Sequence, residues 1–97
     1  MPKAYWVATY RVIKDPDAMA AYAKTSRPAL EVAGGRVVAR GMPAFAFELG
    51  VKERVVLIEF PSVAAAKAAY DSPDYQAAHA LLGDSVDRDI RIVEAEG

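Results

Sequence analysis

The stretch that most constrains the fold is Val55–Leu82, VVLIEFPSVAAAKAAYDSPDYQAAHALL. It opens on a run of apolar residues, the pattern of a strand covered on both faces. Pro61 stops that strand, and Ser62 is placed to cap a helix running to about Tyr70. The Asp71-Ser72-Pro73 step breaks the helix. Ser72 as cap and Pro73 as first residue then start a further helical piece, to about Leu82.

Upstream, Ala4–Val12 is rich in aromatic and β-branched residues and reads as a strand. Asp15-Pro16-Asp17 starts a helix: Asp15 caps it, Pro16 suits its first position, and Asp17 complements its dipole. Met19, Tyr22, Ala23, Ser26, Leu30 and Ala33 recur on one face. Pro28 falls inside this pattern and predicts a kink or break near Thr25–Arg27. Gly34-Gly35 ends the helix, one of the two supplying the left-handed residue. Arg36–Arg40 is a short strand, Gly41–Lys52 a loop or hairpin arm, and Arg54–Phe60 the next strand. Gly83–Asp87 reads as a turn and Arg88–Ala95 as the last strand.

The resulting order, β-α-β-β-α-β, is the split βαβ or ferredoxin-like arrangement, an α+β fold over residues 1–97 as a single domain. It predicts a four-stranded antiparallel sheet in the order 4-1-3-2 with its helices on one face. The first strand puts Tyr5, Val7 and Thr9 on one face and Trp6, Ala8, Tyr10 and Val12 on the other. Helices can cover only one of these faces. The other is left as an apolar patch of a size that monomers rarely expose, and a second copy packed sheet to sheet is the economical cover. A homodimer is therefore expected.

Charge and composition exclude several classes. Twelve basic and thirteen acidic residues give a net charge of −1, which does not suit a nucleic-acid partner. There is no apolar run long enough for a membrane span and no signal-peptide pattern at the start, so a cytoplasmic protein without a membrane partner is expected. The absence of cysteine removes thiol nucleophiles, thiolate metal sites and disulfides.

Among residues that carry chemistry, His79 is the only histidine. It lies on the flank of an apolar face defined by Ala78, Leu81 and Leu82, so a partly exposed surface residue fits better than a general base. With no acidic or thiol partners at ligand spacing, it makes no metal site, and no cofactor is expected. Arg36, Arg40 and Glu59 form a second group. If Arg36 faces Glu59 across the second and third strands, Arg40 faces Val55 and all three charges share a sheet face. Glu59 would then be either a candidate catalytic base beside an anion-binding arginine or one half of a cross-strand ion pair. Tyr10, Tyr22, Tyr70 and Tyr75 complete the candidates. Tyr22 points to the sheet from the first helix, Tyr70 and Tyr75 flank the Asp71-Ser72-Pro73 break, and Tyr10 shares a face with Trp6. Together they either wall a pocket for a small ligand or pack as core.

The segments AYW near the start, GGRVVARG at 34–41, VLIEFPSVAAAKAAYDSPDYQ at 57–76 and the closing IVEAEG resemble a bacterial family catalogued as domain of unknown function thirteen-thirty. That family lies in the dimeric α/β-barrel superfamily. The resemblance implies a ferredoxin-like protomer and a dimer in which two sheets form a barrel. It implies no activity, since relatives in the superfamily include cofactor-free monooxygenases, isomerases, haem-binding enzymes and stress-response dimers. One departure is visible: Leu82 stands where an arginine often follows the helix after the tyrosine, so an anion site using that arginine would be weakened or lost. The expected function is binding of a small apolar or anionic metabolite between sheet and helices. The alternatives are a cofactor-independent monooxygenase or isomerase acting on an activated carbon acid, and a structural dimer without a ligand.

Overall fold

Alternation in the first strand sorts its side chains onto two faces, and the computed structural model, which describes residues 2–96, shows which face the helices take. Strand β1 (Ala4–Ile13) buries Ala4, Trp6, Ala8 and Tyr10 beneath helix α1 (Pro16–Val32) and the shorter helices α2 (Val63–Asp71) and α3 (Pro73–Ala80). Strands β2 (Arg36–Gly41), β3 (Val55–Phe60) and β4 (Val86–Glu94) complete one antiparallel sheet in the order β2-β3-β1-β4. This is the predicted ferredoxin-like topology, with β1 and β3 central.

The core is an aromatic cluster at the centre of the helix-covered face. Trp6, Phe60 and Tyr75 are the largest fully buried side chains. Tyr75 meets Trp6 edge to face with ring centroids 5.3 Å apart, and Phe60 lies 5.9 Å from Trp6. Such offset and edge-on contacts add to the area the rings bury. Met19, Tyr22, Ser26 and Leu30 close the cluster from α1, four of the six residues expected on that face; Ala23 and Ala33 pack at its margin.

Local chemistry sets the element ends. Asp15 accepts from the N–H groups of Asp17 and Ala18, Ser62 from Ala65, and Ser72 from Tyr75, so each expected cap is in use. Gly34, at φ 104°, supplies the left-handed residue after α1. Gly35 has no room for a side chain, because a Cβ there would stand 2.8 Å from the Phe60 ring and 2.9 Å from the Leu30 carbonyl.

Four local expectations are corrected. Helix α1 is not broken at Pro28: the carbonyl that loses its donor, on Lys24, belongs to an exposed residue and can turn to water. Val12 is not on the Trp6 face. A bulge between Tyr10 and Val12 shifts the register by one residue, so Val12 is exposed and Ile13 packs against the core instead. Leu81 is exposed although Ala78 and Leu82 are buried, since helix α3 ends at Ala80 and the apolar stripe ends with it. Strand β4 begins at Val86, two residues before the expected start, where Val86 pairs with Ile13.

Candidate functional site

Beneath the helices, one end of the sheet carries charge where the rest carries hydrocarbon. Arg88 pairs with Tyr10 across β4 and β1 and therefore points to the helix side, in line with Ile90 and Ile92. Its Nη1 donates to the hydroxyls of Tyr10 at 3.0 Å and Tyr22 at 3.1 Å, and its Nη2 donates to the hydroxyl of Tyr75 at 3.1 Å. The guanidinium also lies over the Tyr22 ring, 4.8 Å from the centroid, and 5.5 Å from that of Tyr10. The hydroxyls of Tyr22 and Tyr75 are 2.8 Å apart, so one donates to the other.

Burial acts on the Tyr10 and Tyr75 phenols and on the Arg88 cation between them. Burial pushes the Tyr75 hydroxyl well above the ordinary tyrosine range, and its coupling to Tyr22 adds to the shift. Burial also raises Tyr10, partly offset by Arg88. Burial opposes the charge on Arg88, but attraction to the Tyr22 and Tyr10 oxygens outweighs it and raises the pKa above the usual arginine value. Arg88 forms no ion pair with any carboxylate among the described residues.

Counting donors shows what the cluster lacks. An arginine has five N–H groups, and three are engaged here, leaving one on Nε and one on Nη2. Three tyrosine O–H groups are present, and the Tyr22–Tyr75 contact consumes one. Donors are thus in surplus and the cluster offers no free carboxylate to take them.

The cluster borders two spaces. A cavity of about 60 Å³ lies between the sheet and α1, and Arg88, Tyr10, Tyr22, Arg40 and Arg54 line it with no acidic residue among its lining side chains. A wider cleft of about 470 Å³ opens on the other side of Arg88, walled by Tyr70, His79 and Lys67 over Ile90 and Ile92. Arg54 sits opposite Tyr10 just before β3, its carbonyl accepting the Tyr10 N–H at 3.0 Å. Its Nε is closed off from solvent and is the one buried side-chain polar atom without a hydrogen-bond partner among the described residues.

The candidates read from the sequence fall into three places. Tyr10, Tyr22 and Tyr75 converge on Arg88. Tyr70 and His79 wall the adjoining cleft, with the Tyr70 ring tilted against Tyr75 at 5.3 Å and His79 6.2 Å from both rings. Arg36 and Glu59 are on the opposite, uncovered face of the sheet. The Arg36–Glu59 register is as expected, but Arg40 is corrected: a bulge between Val37 and Ala39 sets it opposite Val56, not Val55, and turns it to the helix side. Glu59 accepts from Arg36 Nη2 at 2.6 Å and Nε at 3.2 Å, and Lys3 Nζ lies 3.1 Å from its other oxygen. The Arg36 hydrogen bonds, with Lys3 behind them, lower its pKa, which makes it a weak base. Leu82 is buried beside the wider cleft, whose lining cations are Arg88 and Lys67.

Arg88 and Arg54 are the site residues the sequence reading missed. The signal was present as alternation: Val86, Arg88, Ile90 and Ile92 share one period-two face, as do Arg54, Val56, Ile58 and Phe60. Each arginine extends an apolar row that points into the core.

A family model described as a domain of unknown function, DUF1330, matches residues 3–96. No functionally curated protein matches the sequence. Among solved structures, RPA0582 from Rhodopseudomonas palustris, a protein of unknown function, is similar at 25% identity and a TM-score of 0.76, over 99% of this chain and 84% of that one. SnoaB from Streptomyces nogalater, a cofactor-independent oxygenase, is similar at 11% identity and a TM-score of 0.71, over 100% of this chain and 96% of that one. A dimeric ferredoxin-like protein of unknown function from Thermobifida fusca is similar at 18% identity and a TM-score of 0.59, over 97% of this chain and 92% of that one. The last two likenesses concern the fold.

Proposed function

We propose, for a chain that belongs to the DUF1330 family and so inherits a fold without an assigned activity, that it binds a small organic anion between sheet and helices, with Arg88 as the anchor. The observation that carries this reading is the donor surplus around Arg88: a half-buried cation ringed by phenols, with spare N–H and O–H groups and no carboxylate. A buried charge without a counter-charge is costly, and an incoming carboxylate supplies both the charge and the acceptors. Nε and Nη2 are the pair of nitrogens that grips a carboxylate side-on. The apolar part of the ligand would rest on residues such as Trp6, Met19 and Ile58, which line the same cavity. A space of about 60 Å³ favours a ligand of a few heavy atoms over a polycyclic one.

The protein acts as a two-fold homodimer in this reading. Its support is the uncovered sheet face, where Tyr5, Val7, Val55 and Leu57 are only half-buried and Val93 is exposed, together with the dimeric description of the Thermobifida fusca protein. Cofactor-free chemistry on a carbon acid draws less support. It requires a base at the anion site, and Glu59 is on the other face.

Calorimetric titration with butyrate tests the reading. Wild-type protein should bind it saturably at one site per chain, and Arg88→Gln should weaken binding by about tenfold or more. Arg88→Lys should recover only part of it, because an ammonium cannot form the fork. Equal affinity in wild type and Arg88→Gln would overturn it.

A further inference from the structure

Two arginines, not one, point at the cavity from a single row of the sheet. Arg54, immediately before β3, Tyr10 on β1 and Arg88 on β4 are neighbours across the sheet, all lining the space beneath the helices. Adjacent antiparallel partners are separated by about 5 Å, so the two arginine backbones stand about 10 Å apart with Tyr10 between them. Long flexible stems let both guanidinium groups lean over the same space. Arg40, one row further along opposite Val56, lines that space as well.

Arg54 differs from an arginine that merely rests its stem on the core. Its Nε is sealed from solvent without an acceptor among the described residues, and it takes part in no ion pair there. The neighbouring carboxylate, Glu53, is committed elsewhere, its Oε1 accepting the backbone N–H of Arg54 at 2.9 Å. An orphaned buried donor on a charged group is expensive to keep unless something fills it. Arg88, on the other side of Tyr10, donates to three hydroxyls and meets no carboxylate among the described residues.

We infer that the ligand is a short dianion, with one anionic group held by Arg88 and the tyrosine hydroxyls and the second by Arg54, flanked by Arg40. This rests on the anion-binding reading above and names its substrate class: short dicarboxylates and compounds with two anionic ends, in preference to monocarboxylates of equal length. Tyr10, between the two cations, becomes the floor over which the ligand's carbon chain lies. Its ring contacts hydrocarbon while its hydroxyl stays bound to Arg88.

The experiment titrates butyrate, succinate and glutarate into wild type, Arg54→Gln and Arg54→Lys, with melting curves to confirm that each variant is folded. In wild type one of the two dianions should bind about tenfold or more tightly than butyrate. Arg54→Gln should bring that ratio to near one by weakening the dianion far more than butyrate, and Arg54→Lys should restore part of the preference. Butyrate binding with no dianion preference in wild type would overturn the dianion inference and leave the anion site intact. A dianion preference that survives in Arg54→Gln would overturn the role of Arg54. Absence of binding by all three acids would overturn both.

Discussion

The two faces of the sheet each carry a semi-buried charge, and they resolve it in opposite ways. On the open face, Glu59 is gripped by Arg36 and Lys3, while Asp89 accepts from Thr9 at 2.6 Å and from Arg91 at 3.0 Å. Glu59, Arg36, Lys3, Asp89 and Arg91 each meet an opposite charge within the chain. On the helix-covered face, Arg88 meets only hydroxyls, and Arg54 Nε meets nothing. The difference teaches that a charged residue at the end of an apolar strand is not itself a site. A closed ion pair fixes register and satisfies its own groups, whereas a cation surrounded by donors still requires an acceptor.

The largest expected effect separates the faces by binding. Arg88→Gln should reduce butyrate affinity by about tenfold or more, while Arg36→Gln, equally a loss of one cation, should leave it unchanged. A parallel loss in Arg36→Gln, read by the same titration, would erase the contrast. Next in size is Tyr75→Phe, which removes a hydroxyl held by both Tyr22 and Arg88 in a fully buried ring. It should lower unfolding free energy by about 1–3 kcal/mol in denaturant titrations.

The faces should also part in their response to pH. Tyr10 and Tyr75 have raised folded-state pKa values, so their contribution to stability is complete below the unfolded tyrosine value of about 10 and is lost as pH rises beyond it. Tyrosinate absorbance from these two should appear only with unfolding, and free titration of all five tyrosines in the native state would contradict the buried cluster. Glu59 runs the other way. Its pKa is lowered, so its contribution is present above the unfolded value of about 4.3 and is lost as pH falls through the folded one. Glu59→Gln should therefore be less stable than wild type at neutral pH, with the gap closing in acid. The smallest effect is expected of Arg91→Ala, an exposed side chain whose removal should scarcely move the melting temperature.

Much of the frame was legible from particular residues. The caps Asp15, Ser62 and Ser72, the turn at Gly34, the alternation of β1 and the apolar run of β3 determine elements through local chemistry, and the topology follows from their order. The Arg36–Glu59 pairing was legible for the same reason, since opposite charges across neighbouring strands prefer to meet. The site was legible only in part. Tyr10, Tyr22 and Tyr75 stood out as aromatic residues with polar tips, but no local rule brings a helix α1 hydroxyl to within 2.8 Å of one on α3. Arg40 was placed on the wrong face because a bulge inverts every side chain beyond it and leaves little trace in composition. Arg88 and Arg54 were passed over because a charge at a strand end reads as a solvated terminus unless the apolar row behind it is followed outwards.

The most direct test observes both arginines at once. In a ¹⁵N-labelled sample titrated with butyrate, the Nε–H resonances of Arg88 and Arg36 report the two sheet faces side by side. The account predicts a saturable shift at Arg88, whose Nε–H is unengaged, and no change at Arg36, whose Nε–H is held by Glu59. A shift at Arg36 with Arg88 unmoved, or no shift at either, would contradict it.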